Sequence, residues 1–313
     1  MAASPVLTSN YNGDVLDYII TETVVGNEAV DKGSVYVIPD VPSKLSIAKM
    51  VSTANPIIDR EAMPTTKSAT VTWSEATLTP VEMMIYIPDI NPRIFEAAWR
   101  PFQPKGALPN KVLDPNVQKV FADVVLKQAQ KQVGKLLWQG DSTLASTNPL
   151  HFFNGFFTRA AASSTNIDVT NLGTISTANI QAILESCNQS VPDALFDDPD
   201  MVFHMNTGDF RKYQQSVRQL SYKGQGPAED VPAEYGGREI RYYSQAPANK
   251  IIIAKATTGT DSNFYAAVDK QNDMENFIIE KLRPEGEHYF LKALFKMDAN
   301  FSIDSESVYY AGS

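Results

Sequence analysis

The clearest hydrophobic pattern in the chain runs from residue 115 to residue 138. Asp114 and Pro115 suit the N-cap and the first position of a helix, and Gly140 is a common residue just past a helix end. The pattern therefore predicts a helix of about 24 residues, roughly 36 Å long at 1.5 Å per residue. Its apolar residues recur every three or four positions, as one buried helix face requires: Val117, Val120, Phe121, Val124, Val125, Ala129, Val133, Leu136 and Leu137.

Two shorter patterns upstream predict the arms of a β-hairpin. A β-prone run at residues 45–50 is followed by residues 69–78, in which Val71 and Trp73 share one face. Between the two runs, residues 55–68 are rich in charged and turn-forming residues. A two-stranded hairpin is only marginally stable alone in water, so we expect this one to dock on another surface.

The rest of the chain mixes short helices and strands, which predicts an α+β protein. Prolines are frequent between residues 80 and 110, around a short helix candidate at 94–100. Residues 141–175 are predicted to be loop and strand, and 283–286 to be a hairpin turn. The patterns further predict helices at 176–187 and 209–220 and strands at 201–205, 238–243, 250–256, 263–268, 277–282, 289–303 and 308–310.

Residues 1–43 do not have the pattern of a compact domain. Five acidic residues precede the first basic one, Lys32, and the apolar residues come only in short clusters. Such a segment can bury little apolar surface by itself, which predicts an extended arm that lies on another surface. The lack of a basic leader also argues against a standard signal peptide.

Composition and charge exclude several function classes. The chain is 43% hydrophobic, and no apolar run approaches the ~18 residues of a membrane helix. A net charge of −9 argues against a protein that grips nucleic acid over its whole surface. An acidic wall is nevertheless compatible with a container for DNA, because tight binding would hinder release.

The residues that most often carry chemistry are few. A single cysteine, Cys187, excludes an internal disulfide and a cysteine-built zinc site, and its helical apolar spacing predicts a buried side chain. His204 lies in an apolar strand and is predicted to be a core histidine, far in sequence from the two other histidines.

No motif predicts a catalytic, cofactor or metal site. Asp197, Asp198 and Asp200 lack the spacing and the closing Glu of a calcium loop, so a solvated turn is the favoured interpretation. The chain also contains no phosphate-binding P-loop, no HExxH zinc motif and no GxSxG nucleophile elbow.

The order of elements resembles that of the HK97-type major capsid proteins of tailed bacteriophages. In one stretch a long helix ends in Leu136-Leu-Trp-Gln-Gly-Asp-Ser142 and leads into Phe153-Asn-Gly-Phe156, similar to a recurring passage of the family. Residues 35–87 are similar to the entry and exit of the family's hairpin, the E-loop. Gly236-Gly-Arg-Glu-Ile240, followed by residues 251–254 and 263–265, is similar to the end of its A-domain.

The resemblance implies a division of the chain into five parts. These are an N-terminal arm (1–43), the E-loop hairpin (44–87), a P-domain with its spine helix (88–165, helix 115–138), an A-domain (166–271) and strands that return to the P-domain sheet (272–313). It implies no cofactor and no enzymatic activity.

Two features separate this chain from some of those relatives. No long charged helical segment precedes residue 30, so we expect a separate scaffolding protein or assembly without one. Some relatives crosslink an E-loop lysine to a P-domain asparagine, and Lys67 with Asn276 or Asn300 would be the corresponding pair. We favour the simpler interpretation that Lys67 is solvated.

The implied function is self-assembly into an icosahedral shell around double-stranded phage DNA. The expected partners are copies of the chain as hexamers and pentamers, a portal, a separate scaffolding protein and decoration proteins, with DNA bound without sequence specificity and no membrane. The expected location is the virion, after assembly in the bacterial cytoplasm. Contacts between subunits are predicted at the hairpin tip, at Asp59, Arg60, Glu61 and Lys67.

A lysine stripe on the long helix carries the one nucleic-acid hypothesis. Lys127, Lys131 and Lys135 recur every four residues, and the resemblance places this helix near the inner wall, where lysines would screen phosphates. An ordinary solvated face or intersubunit ion pairs are the favoured interpretation. Two other functions stay open, namely an encapsulin-like compartment that encloses cargo enzymes and a hydrolase with a scattered site.

Overall fold

The computed structural model of the chain describes residues 27–52, 71–90, 115–221, 231–269, 277–282 and 288–312. The hairpin tip, the helix candidate at 94–100, the Asp114 cap and the turn at 283–286 lie outside the described residues. The helices are α1 (Glu28–Asp31), α2 (Pro115–Gln139), α3 (Phe156–Ala162), α4 (Ile180–Gln189) and α5 (Thr207–Ser221).

The strands form two sheets and a separate hairpin. Two short 3-10 turns lie at Asp193–Leu195 and Asp304–Glu306. The strands are β1 (Tyr36–Ile38), β2 (Leu45–Ser52), β3 (Val71–Leu78), β4 (Val81–Ile90), β5 (Ile167–Asp168), β6 (Met201–Asn206), β7 (Glu234–Tyr235), β8 (Arg238–Tyr243), β9 (Lys250–Lys255), β10 (Phe264–Asp269), β11 (Phe277–Lys281), β12 (Tyr289–Phe301) and β13 (Val308–Ala311).

The first sheet is built around β12, whose side chains alternate between buried and half-buried along most of the strand. Antiparallel β4 pairs with residues 289–297 of β12, β11 pairs with 289–293 and β10 with 296–301. Because a strand has two edges, β10 and β11 share the edge opposite β4. Parallel β1 then adds to β10.

The second sheet has the order β5-β13-β9-β6-β8-β7. Its central strand β6 is fully buried up to Met205 and pairs with β8 in parallel and with β9 antiparallel. Helices α4 and α5 contribute to the core of this sheet, and the core contains Cys187 from α4. The predicted burial of Cys187 is confirmed, and burial raises the pKa of its thiol to about 12, so the thiol is protonated at neutral pH.

Trp138, near the end of α2, joins the cores of the two sheets. Its indole is fully buried, with ring centroids 4.6–5.8 Å from five aromatic side chains. His204 and Tyr243 come from the second sheet, whereas Phe264 comes from the first. The remaining two, Phe156 and Phe157, come from α3.

The glycines at 140 and 155 allow two backbone segments to touch at the end of α2. The Gly155 N–H donates to the Gly140 carbonyl over 2.9 Å, and the Gly140 N–H donates to Leu136 O over 2.9 Å. A Cβ at position 140 would lie 2.7 Å from Leu136 O and closer still to Phe153 O. The glycine at position 140 is therefore required by close approach of backbone rather than by a positive φ.

The predicted long helix, the hairpin strands and the strands and helices after residue 176 are confirmed, with ends shifted by a few residues. The predicted loop and strand at 141–175 is wrong in part, because α3 lies there and buries Phe156, Phe157 and Ala160. Consecutive aromatic residues in this stretch gave no helical spacing in the sequence, and two of them, Phe156 and Phe157, pack on Trp138.

Two strands belong to other sheets than the division of the chain into five parts would suggest. β10, grouped with residues 166–271, belongs to the first sheet, and β13, grouped with the returning strands, belongs to the second. Residues 27–43 of the predicted arm lie within the body: Ala29, Ser34 and Val35 are buried. No helix in the described part of the chain is both long and apolar enough to cross a bilayer.

His204 is a fully buried core histidine, as predicted. Its Nδ1 lies 3.1 Å from the Tyr243 hydroxyl, which in turn lies 2.6 Å from Ser34 Oγ. Burial, helped by the nearby charge of Arg241, lowers the pKa of His204 to about 3. The side chain is therefore neutral in the folded protein at neutral pH.

We predict that replacing Gly140 with Ala will destabilise the fold, because the added methyl meets carbonyl oxygens that cannot move without distorting α2. The expected loss is about 1–3 kcal/mol in the free energy of unfolding, measured by urea denaturation. Gly259→Ala is the matched control, since a Cβ there meets only ordinary contacts. Equal stability of the two variants would contradict this account of Gly140.

We also predict that His204 makes the fold sensitive to acid. Above its unfolded pKa of 6.5 neither state carries the proton, whereas between 6.5 and about 3 only the unfolded chain binds it. Stability is therefore lost as the pH falls through this window. His204→Gln should lose less stability than wild type between pH 7 and about pH 4, measured as the shift of the urea midpoint. An unchanged acid response would refute this, and His151→Gln, in a loop, is the control.

Candidate functional site

The β2–β3 hairpin forms a two-stranded sheet of its own in the described part of the chain. Leu45 to Ser52 pair with Leu78 to Val71 in one antiparallel ladder, and neither strand pairs with any other described strand. Its base packs on the first sheet, where buried Leu78 meets Val41, Tyr265 and Ala267.

Two side chains of β12 hold the main chain of the hairpin base. Asp298 Oδ2 accepts a hydrogen bond from the Thr79 N–H over 2.7 Å. Asn300 Nδ2 donates to the Thr77 carbonyl over 2.8 Å. Because 298 and 300 are alternate residues of a strand, both side chains lie on the same face of the first sheet.

Asp298 also ties helix α3 to this point. Its Oδ1 accepts from the Arg159 guanidinium over 3.1 Å and from the Ala299 N–H over 2.8 Å. Burial raises the pKa of Asp298, and the Thr79 N–H and the Arg159 charge oppose that shift. With only 4% of the residue exposed, the carboxylate depends on these donors in place of water.

Two solvent-filled grooves flank the hairpin base, one beside each strand. The first, with a volume of about 670 Å³, lies beside β3 and is lined by Glu75, Thr77, Asn154, Arg159, Asn300 and Asp304. The second, of about 390 Å³, lies beside β2 and is lined by Ile47, Leu195, Lys255, Tyr265, Ile303 and Glu306. A groove therefore lies on each side of the hairpin base.

Trp73 is the most exposed large hydrophobic residue in the described part of the chain, with 69% of its surface accessible. It lies opposite Met50 in the ladder, further along the hairpin than the residues that pack on the body. A tryptophan in this position is typical of a protein interface rather than of a free surface. The sequence placed Trp73 on a strand face but gave no sign that the face is exposed.

The outer face of the first sheet is a second exposed apolar surface. Met84 and Tyr86 of β4 are 52% and 46% exposed, and Tyr86 lies beside Phe290 of β12. The nearby Lys296 ammonium pairs with Glu82 at 3.2 Å. This face continues from the hairpin base along β4.

The lysine stripe lies on the solvent side of α2. Lys127, Lys131 and Lys135 are exposed, whereas Val125, Ala129, Val133, Leu136 and Leu137 of the same helix are buried. Of the predicted site residues these three are therefore on the surface. The four predicted tip residues, Asp59, Arg60, Glu61 and Lys67, lie outside the described residues.

The acidic turn at 197–200 has a structural role. Asp198 pairs with Lys255 at 2.9 Å and accepts from the Asp200 N–H, and these bonds lower its pKa despite the opposing effect of burial. Nearby, the buried Arg238 donates to Phe196 O. Within the described ranges no group of three or more His, Cys, Asp or Glu side chains is placed to hold a metal ion.

Comparison with known proteins gives a likeness in structure alone. No protein-family model matches the chain, and no curated protein is similar to it in sequence. A chain of the satellite phage P4 procapsid aligns with a TM-score of 0.62 at 12% identity, over 98% of this chain and 93% of that one.

Two further solved structures show the same likeness. The capsid of Myoviridae phage XM1 aligns with a TM-score of 0.58 at 8% identity, over 100% of this chain and 96% of that chain. The virus-like particle from Pyrococcus furiosus aligns with a TM-score of 0.52 at 10% identity, over 95% and 97% of the two chains. Identities this low establish a shared fold and assign no role to any residue.

Proposed function

We propose that this chain, which has the mixed α+β HK97-type capsid fold, is the major capsid protein of a tailed phage. Copies of it would assemble as hexamers and pentamers into an icosahedral shell around double-stranded DNA. The proposal is for a structural protein of the virion and not for an enzyme. The observation that carries it is the hairpin, which exposes Trp73 away from the body.

Among the described strands, β2 and β3 pair only with each other, and the apolar cluster that joins the hairpin to the body lies at its base. A two-stranded ribbon of this kind is marginally stable in water. A neighbouring copy would supply a surface for the ribbon to pack on, because every copy carries both the hairpin and the grooves. Head-to-tail contacts of this kind close into rings when the rotation between successive copies completes a full turn.

The predicted tip residues would take part in the same contact between copies. Asp59, Arg60, Glu61 and Lys67 follow β2 and precede β3, so they lie at the far end of the hairpin in sequence. We propose that they make polar contacts with a neighbouring subunit around the apolar contact of Trp73. A polar rim around an aromatic anchor is the usual anatomy of a protein interface.

We propose further that Lys127, Lys131 and Lys135 face the lumen and screen the phosphates of packaged DNA. The support is that all three are exposed along one side of α2 in a chain of net charge −9. Three lysines give a weak contact without sequence specificity, as a shell that must release its DNA requires. A portal, a separate scaffolding protein and decoration proteins complete the proposed set of partners.

A second candidate is a protein compartment that encloses cargo enzymes, similar to an encapsulin. The observation that favours it is the likeness to the virus-like particle from Pyrococcus furiosus, over 95% of this chain. Nucleic acid inside purified particles separates the two functions, because a cargo compartment contains protein in its place.

The test of assembly is negative-stain electron microscopy of the purified chain, where we expect closed particles of megadalton size. Trp73→Ala should raise the protein concentration needed for assembly by about tenfold or more, as loss of an aromatic anchor does. Trp73→Phe is the matched control and should assemble nearly normally. A monodisperse wild-type monomer at high concentration would exclude both candidate functions.

The lysine stripe is tested by replacing Lys127, Lys131 and Lys135 together with Gln. We expect shorter DNA in nuclease-treated particles, because three phosphate-screening charges are lost. The control is an equal loss of charge at Lys44, Lys250 and Lys292, away from α2. The same DNA length in both triple variants and wild type would reject the lumenal role.

A further inference from the structure

The ladder between β4 and β12 stops at the point where the hairpin leaves the body. Its last pair joins Val81 to Met297, so the next pair would place Pro80 opposite Asp298. Proline has no N–H to donate, and the ladder cannot continue through it. The backbone of β12 from Asp298 onward is therefore not paired with the hairpin.

Beyond the end of the ladder, side chains of β12 bind the main chain of the hairpin. Asp298 binds the Thr79 N–H and Asn300 binds the Thr77 carbonyl, on either side of buried Leu78. One side chain thus accepts from the hairpin main chain and the next donates to it, as a ladder would. The difference is that two side-chain links hold the hairpin at two points, whereas a backbone ladder would make it a strand of the sheet.

We infer that Asp298 and Asn300 form a latch that fixes the direction in which the hairpin leaves the body, with Arg159 holding Asp298 in position. They are positioning residues for the proposed assembly contact. The latch itself is a property of the single chain, and only its effect on particle shape rests on the proposed function.

Arg159 holds the Asp298 carboxylate in position. Its Nε donates to Asn154 O over 2.9 Å, which fixes the guanidinium beside the loop that follows α2. Its Nη2 lies 3.1 Å from Asp298 Oδ1. The latch consequently links the hairpin to α3 and to the loop after α2 as well as to β12.

An ordinary buried ion pair would stabilise the body as a whole, whereas a latch acts on the hairpin. Asp198 is the comparison: its carboxylate, 20% exposed against 5% for Asp298, pairs with Lys255 and accepts one backbone N–H, and neither of these partners belongs to the hairpin. Variants at 198 and 298 therefore separate loss of an ion pair from loss of the latch.

The experiment is hydrogen exchange with mass spectrometry on the full chain, for wild type, Asp298→Ala, Asn300→Leu, Arg159→Lys and Asp198→Ala. In the first two variants we expect the exchange rate of peptides covering residues 71–79 to rise about tenfold. The reason is that losing a charge-assisted or buried hydrogen bond makes local opening of the hairpin base more favourable. Peptides covering β6 should exchange as in wild type. Arg159→Lys keeps the charge and should retain most of the protection.

Three results would overturn the inference. They are unchanged exchange at 71–79, a rise of equal size in β6, or the same rise at 71–79 in Asp198→Ala. Electron microscopy of the same samples adds the assembly readout, where latch variants should give particles of altered or mixed diameter. If wild type forms no particles, the proposed function fails, while the exchange data still decide whether the latch exists.

Discussion

Every connection in the first sheet depends on the two edges of one strand, β12. β4 takes one edge as far as Met297, and β10 and β11 divide the other. β1 is reached only through β10. Because Pro80 ends the β4 ladder, the hairpin is excluded from the sheet and is held by an apolar base and two side chains. The hairpin is available to other molecules because it does not continue the β4 ladder along β12 beyond Met297.

The local elements were largely predictable from the sequence, because periodicity reports which side chains are buried. The spacing from Val117 to Leu137 predicted α2, and the alternation around Trp73 predicted β3. Which strands pair with each other was not predictable from the sequence. For example, β12 and β13 are separated by a few residues yet belong to different sheets. Hydrophobic alternation says that a strand has a buried face and does not say against which strand it pairs.

The candidate site was predicted less well than the fold. The lysines of α2 were identified from their spacing, since exposure on a helix follows from periodicity. Asp298 and Arg159 were missed because their roles depend on contacts across 139 residues of sequence. The exposure of Trp73 was missed for a related reason. A large aromatic residue in a strand is ordinarily buried, and only the position of the hairpin outside the sheet reverses that expectation.

The position of β13 has a consequence for how the protein is made. Residues 308–311 insert between β5 and β9, so a strand that is translated after all others of the second sheet fills an interior place in it. Until that segment has left the ribosome, β9 lacks one of its two neighbours and the sheet cannot close. β5 and β9 therefore stay unpaired on the sides that face β13 until synthesis has passed residue 311.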